Sequence, residues 1–335
     1  MRSKALVVTV AAAAALLAAC SGSGKPTASP SPTPSPTVSP TPSPTPTPVL
    51  DPLTGLALVR GPVVAVKVDN APLARPYQRG MRQAAVVYQE LVEGGLTRFM
   101  AVFESTQATS EVGPVRSGRE SDIDILRVYA KPPLAFSGAQ PGVLALIRGA
   151  ARAGYLIDAS YDTAPYLFRL GERRRDARNF FVVPARVGQR RGGGDPRDIG
   201  FRFGPEPGGV PVTVATAAFS PQSRMRVRFD AAKGRWVISQ NGRVVPVSPA
   251  NVIVQEVRTK PSRFHDVHHM NTPLTISTGT GTAFVLRDGK RFNGTWRRSA
   301  YGPTRFVDAA GKDILLSTGP TWVFLLPRSG SISFG

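Results

Sequence analysis

Short apolar runs, separated by glycine, proline and polar residues, divide the chain beyond residue 50 into alternating elements. Residues 62–69 read Pro-Val-Val-Ala-Val-Lys-Val-Asp, and the valines at alternate positions predict a strand. Residues 84–92 and 96–104 predict two more strands, and Gly94-Gly95 between them favours a tight hairpin turn. Further short strands are predicted at residues 134–136 and 156–158.

Helix signals occur between these strands. Ser121 is a typical N-cap residue, so we expect a helix that begins there and runs to about residue 129. Asp122 and Asp124 would then lie at the positive end of its dipole. Residues 141–152 carry a proline in the first turn of an apolar run, which predicts a second helix. Strands mixed with helices predict an α+β layer structure for residues 50–191.

The pattern changes to nearly all strand in the second half of the chain. Residues 224–229 alternate Arg-Met-Arg-Val-Arg-Phe, with the apolar residues facing inward. Asn241-Gly242 lies between two such runs and is a strong hairpin signal. Residues 192–209, rich in glycine, proline and arginine, predict a linker, and residues 210–328 predict a β-rich domain. The fold class is therefore α+β, with a mixed N-terminal part and a β-rich C-terminal part.

The N-terminal residues predict export. Arg2 and Lys4 precede an apolar run at 5–19 that is too short for a permanent membrane span. The run ends in Leu-Ala-Ala-Cys20, which resembles the lipobox of bacterial lipoproteins, where the cysteine thiol carries a diacylglycerol. We predict a signal peptide at residues 1–19 and attachment, through a lipid on Cys20, to the outer face of the cytoplasmic membrane. The alternative is an ordinary secretory signal with a chance cysteine.

The amino-acid composition limits the partners that this protein is expected to bind. Cys20 is the only cysteine, so no disulfide-linked partner is expected. Residues 20–49 are rich in Ser, Thr and Pro, and at about 3 Å per residue in polyproline II they predict a linker that reaches roughly 70 Å. The formal net charge of +20 favours an anionic wall polymer or an envelope protein as partner. The export signal argues against nucleic acid.

Acidic residues and arginines are concentrated where strands end and the first helix begins, a common place for sites in α/β sheets. In one interpretation they converge on a pocket, where the arginines would suit a carboxylate or phosphate. In the other they form internal salt bridges that hold a loop against the sheet. The candidate ligand-binding residues are Asn70, Arg75, Glu90, Glu93, Arg98, Arg116, Ser117, Arg119, Asp122 and Asp124.

All three histidines lie close together, at His265, His268 and His269. With Asp266 they would make a three-histidine set of the kind that binds zinc. A dense local group in a loop is more often solvated, so no metal or cofactor is predicted. The chain also lacks a phosphate loop, a dinucleotide fingerprint and a nucleophile elbow.

Several longer motifs occur in a fixed order along the chain. They are Asp-Pro-Leu-Thr-Gly at 51–55, Val-Ala-Val-Lys-Val-Asp-Asn at 64–70, Val-Tyr-Gln-Glu-Leu-Val-Glu-Gly-Gly-Leu-Thr-Arg-Phe at 87–99, Gly-Pro-Val-Arg-Ser at 113–117, Gly-Pro-Thr-Arg-Phe at 302–306 and Gly-Pro-Thr-Trp-Val at 319–323. In order and spacing they resemble the YerB-like bacterial lipoproteins, a family of unknown function with N- and C-terminal parts. The resemblance covers about residues 51–327.

This resemblance implies a layered β/β/α sandwich and an exported, lipid-anchored location that faces the cell wall. It implies no established activity. The family tends to carry Pro-His-Asn where this chain has Ala177-Arg178-Asn179, so a role for that histidine does not carry over.

The sequence therefore favours a non-enzymatic envelope lipoprotein whose folded head binds a ligand or partner through residues 90–124. The alternative is an exported enzyme that acts on cell-wall material, with acidic residues of the same stretch, Glu90 or Asp122, as acid/base.

Overall fold

A computed structural model describes residues 48–173, 178–266 and 269–335. The predicted signal peptide, Cys20 and nearly all of the predicted linker lie outside these residues. Within the described part of the chain, no helix combines the length and apolarity needed to cross a bilayer.

The N-terminal part contains short strands and the α-helices of the described chain. In order they are β1 (Val63–Val68), β2 (Val86–Leu91), β3 (Thr97–Glu104), β4 (Val112–Val115), α1 (Glu120–Leu126), β5 (Pro133–Ala135), α2 (Pro141–Arg152), β6 (Ile157–Asp158), β7 (Arg169–Arg173), β8 (Arg178–Val182) and α3 (Pro184–Arg191).

The C-terminal part consists of strands. In order they are β9 (Val210–Pro211), β10 (Val214–Ser220), β11 (Ser223–Asp230), β12 (Arg235–Gln240), β13 (Arg243–Val244), β14 (Asn251–His265), β15 (Asn271–Ile276), β16 (Gly279–Arg287), β17 (Lys290–Arg298), β18 (Arg305–Val307), β19 (Thr321–Pro327) and β20 (Ser331–Phe334).

One large sheet contains strands from both parts. Its order is β18-β17-β16-β14-β19-β2-β3-β1-β4-β8-β7, with β15 on β14, β9 on β17, β5 on β1 and β6 on β5. β19, near the C-terminus, lies between β14 and β2 and runs parallel to both, so that Trp322 is opposite Val252 and Val87. A second sheet has the order β13-β12-β11-β10-β20. The two parts of the chain therefore meet within one sheet, and the domain boundaries at 192–209 stay a prediction.

The residues of β1 show how the layers form. All six are buried, as expected of a strand covered on both faces. Val64 and Val66 belong to a core cluster that includes Met225 of the second sheet. Ala65, on the opposite face, belongs to a cluster that includes Ile147 of α2. The large sheet thus lies between the second sheet and the helices, which confirms the predicted β/β/α sandwich.

Two other predictions that rest on local sequence signals, a helix and a hairpin turn, agree with the structure. The second predicted helix has the predicted bounds, Pro141–Arg152. Asn241 and Gly242 have φ values of 47° and 83°, the left-handed pair of a tight hairpin turn. The segment 192–209 contains no helix or strand of its own, yet Ile199 and Phe201 within it are buried against the sheet.

The predicted start of α1 is wrong. The helix begins at Glu120 with Arg119 as N-cap, and it ends earlier than predicted. Ser121 lies inside the helix, where its hydroxyl accepts a hydrogen bond from the backbone N–H of Thr275 at 3.1 Å. Asp122 supplies the capping contact instead, because its carboxylate accepts the backbone N–H of Arg119 at 2.7 Å.

Two carboxyl groups meet where the described chain enters the fold. Asp51 is buried, and its Oδ1 accepts the backbone N–H groups of Leu53 and Thr54 at 2.7 and 2.8 Å. Burial, and then a hydrogen bond to Asp51 and the charge of that residue, raise the pKa of Glu104 to about 8. Glu104, at the end of β3, is therefore mainly protonated in the folded protein at neutral pH.

Glu104→Gln should reduce the dependence of stability on pH. The pKa of Glu104 is about 8 in the folded protein and about 4.3 in the unfolded chain. At pH values between these two, the folded state binds more protons than the unfolded state does. The free energy of unfolding therefore falls as pH rises through this range. We expect the wild type to lose on the order of 1–2 kcal/mol between pH 5 and about 8.5, since partial exposure of Glu104 limits the effect.

Urea unfolding at several pH values measures this difference. Glu256→Gln makes the same charge change at a residue for which the structure records no side-chain hydrogen bond. In this control the free energy of unfolding should change with pH as it does in the wild type. If the free energy of unfolding changed equally with pH in the wild type and in Glu104→Gln, the raised pKa of Glu104 would be contradicted.

A candidate anion-binding cleft

A surface cleft of about 670 Å³ opens beside the turn between β2 and β3. Arg98 on β3 lines it, as do Arg116 and Arg119 from the segment between β4 and α1. We call it the arginine cleft. Its other lining residues include Glu93, Ser117 and a largely apolar wall, which is made of Val92, Leu96, Ala139, Pro141 and Met270.

The turn after β2 brings the two sides of the cleft together. Glu90 on β2 is opposite Arg98 on β3, and Gly94 and Gly95 make the turn with φ values of 65° and 68°. Gly95 has a positive φ that other residues rarely adopt, and its carbonyl accepts a hydrogen bond from Ser220 Oγ of the second sheet at 2.5 Å. The glycine pair therefore lets β2 and β3 turn while the second sheet packs closely beside them.

Three arginines and two acidic residues, Glu93 and Asp266, line the cleft. Arg98 Nε and Arg116 Nε lie 4.0 and 3.4 Å from the two carboxylate oxygens of Asp69. Arg119 Nη2 lies 2.5 Å from Glu93 Oε2. The three guanidinium groups thus lie close together and share the carboxylates of Asp69 and Glu93.

The pKa values reflect burial and the closeness of the arginines. Burial, and then the charge of Arg119, lower the pKa of Arg98 to about 9, although Asp69 and Glu93 act in the opposite direction. Burial alone would raise the pKa of Glu93, but the charge of Arg119 and a hydrogen bond from Thr272 outweigh it, and the pKa is lowered. Glu93 therefore stays ionised at neutral pH, and a further anion would stabilise charged Arg98.

The three arginines differ in their access to solvent. The side chain of Arg116 is 34% exposed, whereas those of Arg98 and Arg119 are 11% and 10% exposed. Arg119 is also fixed by hydrogen bonds from Nη1 to the carbonyls of Ser117 and Gly118, at 3.2 and 3.0 Å. Arg116 is therefore the arginine most able to reach a ligand.

A buried ion group lies next to the cleft. Lys67 on β1 donates hydrogen bonds to Glu90 on β2 and to Asp122 on α1, and all three side chains are at most 2% exposed. Burial raises the pKa of Glu90, with Lys67 acting in the opposite direction and Asp122 reinforcing the rise. The raised pKa moves Glu90 towards its protonated form.

Sequence reasoning missed Lys67 as a member of this group. The available signal was a single lysine inside the run Val-Val-Ala-Val-Lys-Val of β1. A lysine on a strand that is buried on both faces requires a buried carboxylate partner, because an unpaired charge there is strongly unfavourable.

The structure brings together half of the predicted site residues. Those that line the arginine cleft are Glu93, Arg98, Arg116, Ser117 and Arg119. Glu90 and Asp122 are not among the lining residues, because they pair with Lys67 in the interior. The pocket interpretation and the salt-bridge interpretation therefore each describe part of the stretch.

The remaining three predicted residues lie elsewhere. Asp124 pairs with Arg127 at 3.4 Å, within α1 and its C-cap. Asn70 donates hydrogen bonds to Thr97 Oγ1 at 2.7 Å and to Gln240 Oε1 at 2.5 Å, and so connects the two sheets. Arg75 donates a hydrogen bond to the backbone carbonyl of Asn70 at 3.3 Å. The structure does not place these three residues in the cleft.

His265 is the last residue of β14, and His269 lies two residues before β15 begins. His265 and Asp266 line the arginine cleft, and His269 is exposed with a φ of 59°. His268 lies outside the described residues, and among those described no group of three His, Cys, Asp or Glu side chains is arranged to hold a metal. The three-histidine site therefore stays an untested alternative.

The Ala-Arg-Asn variant of the family motif is only partly described. Ala177 lies outside the described residues. Asn179 is buried on β8, where its side-chain amide donates a hydrogen bond to the carbonyl of Glu172 at 2.8 Å. In this chain that asparagine connects two neighbouring strands.

Comparison with known proteins agrees with the fold. Residues 53–194 match the N-terminal domain, and residues 214–323 the C-terminal domain, of a protein family of unknown function named DUF3048. The chain belongs to the DUF3048 family. A Bacillus subtilis relative named "Putative lipoprotein YerB" is 51% identical over 74 residues, which is 21% of this chain and 22% of that protein. The matched segment thus spans about a fifth of the relative's length.

A solved structure extends the likeness to most of the DUF3048 fold. The crystal structure of YerB from Bacillus subtilis has a TM-score of 0.69 and 22% sequence identity, and the match covers 85% of this chain and 99% of YerB. At this identity the match shows the fold, and it confirms the predicted YerB-like sandwich.

Lys67→Met should destabilise the protein strongly. It leaves two carboxyls buried without their cation, and breaking a buried ion pair in this way costs about 3–5 kcal/mol. Replacing the whole group, with Lys67→Met, Glu90→Gln and Asp122→Asn together, should recover part of the loss.

Urea unfolding measures these differences in the free energy of unfolding. Lys260→Met, on an exposed position of β14, is the matched control and should change stability by about 0.5 kcal/mol or less. A loss for Lys67→Met as small as that of the control would contradict a buried ion group.

Proposed function

We propose that this DUF3048 protein is a lipid-anchored protein of the bacterial cell envelope whose folded head binds a carboxylate- or phosphate-bearing ligand in the arginine cleft. The lipobox-like sequence that ends at Cys20 supports the anchor, and so does the lipoprotein name of the YerB relative. The head would stand on the outer face of the cytoplasmic membrane, and the Pro-rich linker would hold it towards the cell wall.

Three guanidinium groups that lie close together in the arginine cleft carry the binding proposal. The pKa of Arg98 is lowered to about 9, chiefly by burial and by the charge of Arg119. An anionic ligand would relieve this repulsion. A guanidinium group suits a carboxylate or phosphate because its parallel N–H groups form two hydrogen bonds at once.

The volume and the lining residues of the cleft limit the kinds of ligand that fit it. Its volume of about 670 Å³ is within the range of small-molecule sites. The apolar residues of the lining would pack against a less polar portion of the ligand. A ligand with an anionic group and an apolar portion therefore fits better than a small inorganic ion.

Catalysis by the acidic residues receives less support. Glu90 and Asp122 are 2% and 0% exposed and pair with Lys67, so neither reaches a ligand in the cleft. Glu93 does line the cleft, but its lowered pKa disfavours it as a general acid. Binding is therefore the better supported of the two functions.

Arg116→Ala should weaken specific binding strongly without unfolding the head. The variant removes the most exposed guanidinium of the cleft, whose structural contact is the 3.4 Å pair with Asp69. Loss of one charge-assisted contact predicts an affinity lower by about 10- to 100-fold. Purified wall fragments and an envelope extract, each tested at low salt and at 0.5 M salt (a Debye length of about 4 Å), provide the ligands.

The control is Arg226→Ala, which removes the same charge from an exposed position on β11. We expect the wild type and Arg226→Ala to be retained at high salt, Arg116→Ala to be released, and all three to melt at similar temperatures. Retention only at low salt, equal in both variants, would mean non-specific attraction to positive charge and would contradict the proposal.

A further inference from the structure

A second groove, of about 680 Å³, shares no lining residue with the arginine cleft. Three tyrosines and three cations line it: Tyr129, Tyr155, Tyr301, Arg127, Lys131 and Arg197. No aspartate or glutamate is among its lining residues. We call it the tyrosine groove.

The cations of the groove are held in place but are poorly neutralised. Arg197 donates hydrogen bonds from Nε and Nη2 to the carbonyls of Val128 and Arg127, at 2.6 and 2.9 Å. These contacts fix the guanidinium and leave its other N–H groups for a ligand. Within the described chain, neither Arg197 nor Lys131 forms a salt bridge, whereas Arg127 lies 3.4 Å from Asp124.

The aromatic rings lie beside this positive charge. The guanidinium of Arg127 is 4.7 Å from the ring centre of Tyr155 and 5.3 Å from that of Tyr301, so it lies within cation–π distance of both rings. Tyr301 is 66% exposed, a large fraction for an aromatic side chain that packs on an arginine. An exposed ring at a charged groove is typical of a surface that binds a partner.

The backbone around the groove adopts conformations that most residues avoid. Lys131 has a φ of 51°, in the left-handed region, and its backbone N–H donates to the carbonyl of Tyr129 at 3.0 Å. Gly194 donates to the carbonyl of Ala130 at 2.8 Å, and a Cβ on Gly194 would lie 2.5 Å from Ala130 Cβ. The glycine-rich segment predicted as a linker therefore packs against the turn that presents Lys131.

We propose that the tyrosine groove binds a segment of an anionic saccharide chain. The apolar C–H face of a sugar ring would pack on Tyr301, and the carboxylate or phosphate groups of the chain would pair with Lys131, Arg127 and Arg197. An open surface groove suits a chain that continues beyond the site at both ends. This proposal uses none of the residues of the arginine cleft, so either site can fail its test independently.

The test titrates the full chain, in detergent, with three oligosaccharides by calorimetry. One carries carboxylates (a hexamer of uronic acid), one carries phosphates (a phosphorylated hexose oligomer) and one is neutral. We expect at least one acidic oligosaccharide to bind and the neutral one to bind much more weakly. The pair of acidic probes identifies which anionic group the groove prefers.

Two variants locate the binding. Tyr301→Ala removes an exposed ring, and Lys131→Gly removes a charge at a left-handed position that glycine accepts without strain. Each should lower the affinity for the acidic probe by about tenfold or more. Tyr166→Ala, at a tyrosine that is 52% exposed and does not line the groove, should leave this affinity unchanged.

The proposal is overturned by any of three results. Neither acidic oligosaccharide binds; or Tyr301→Ala binds as the wild type does, which means that charge alone attracts the probe; or Arg116→Ala removes the binding, which assigns it to the arginine cleft.

Discussion

The ion group of Lys67, Glu90 and Asp122 determines how the elements near the arginine cleft meet. It joins β1, β2 and the first turn of α1 in the interior, where each partner would be strongly unfavourable alone. The attraction within such a group largely offsets the desolvation of its members, so its main contribution is to position rather than to net stability. Asp122 uses its other oxygen to accept the backbone N–H of Arg119, and the start of the helix is thereby fixed relative to the sheet.

The fold separates two acidic residues that lie close together in the sequence. Glu90 lies on β2 and is buried with Lys67, whereas Glu93 lies in the turn after β2 and pairs with Arg119 in the arginine cleft. In the interior group, burial raises the pKa of Glu90. In the cleft, three arginines lie close together and Arg116 is the most exposed of them. Internal pairing thus holds the scaffold, and the guanidinium of Arg116 remains where solvent and ligands have access.

Local sequence signals predict much of the fold. The features that these signals do not predict depend on contacts between segments that are distant in the sequence. The proline in the first turn of α2 and the Asn241-Gly242 turn are specified within a few residues, and both are found as predicted. The start of α1 is not, because Ser121 is a good local cap but contacts Thr275, on a strand of the other half of the chain. Glu90 and Glu93 look alike in sequence, and only the partners that the fold supplies assign one to the interior and the other to the cleft. Tyr155 and Tyr301 lie far apart along the chain, so no periodicity could bring them into one groove.

The place of β19 in the large sheet also bears on the order of folding. This strand lies between β14 and β2, and Thr321 is opposite Val86. A chain that emerges from the ribosome with its N-terminus first must therefore hold β2 without one of its neighbours until residues 321–327 appear. β2 is largely buried in the final fold, so the emerging chain exposes an unpaired strand edge that is prone to aggregate. Pairing between strands so distant in sequence is also intrinsically slow. The large sheet is thus completed only when β19 joins β14 to β2, and this step connects the two halves of the chain.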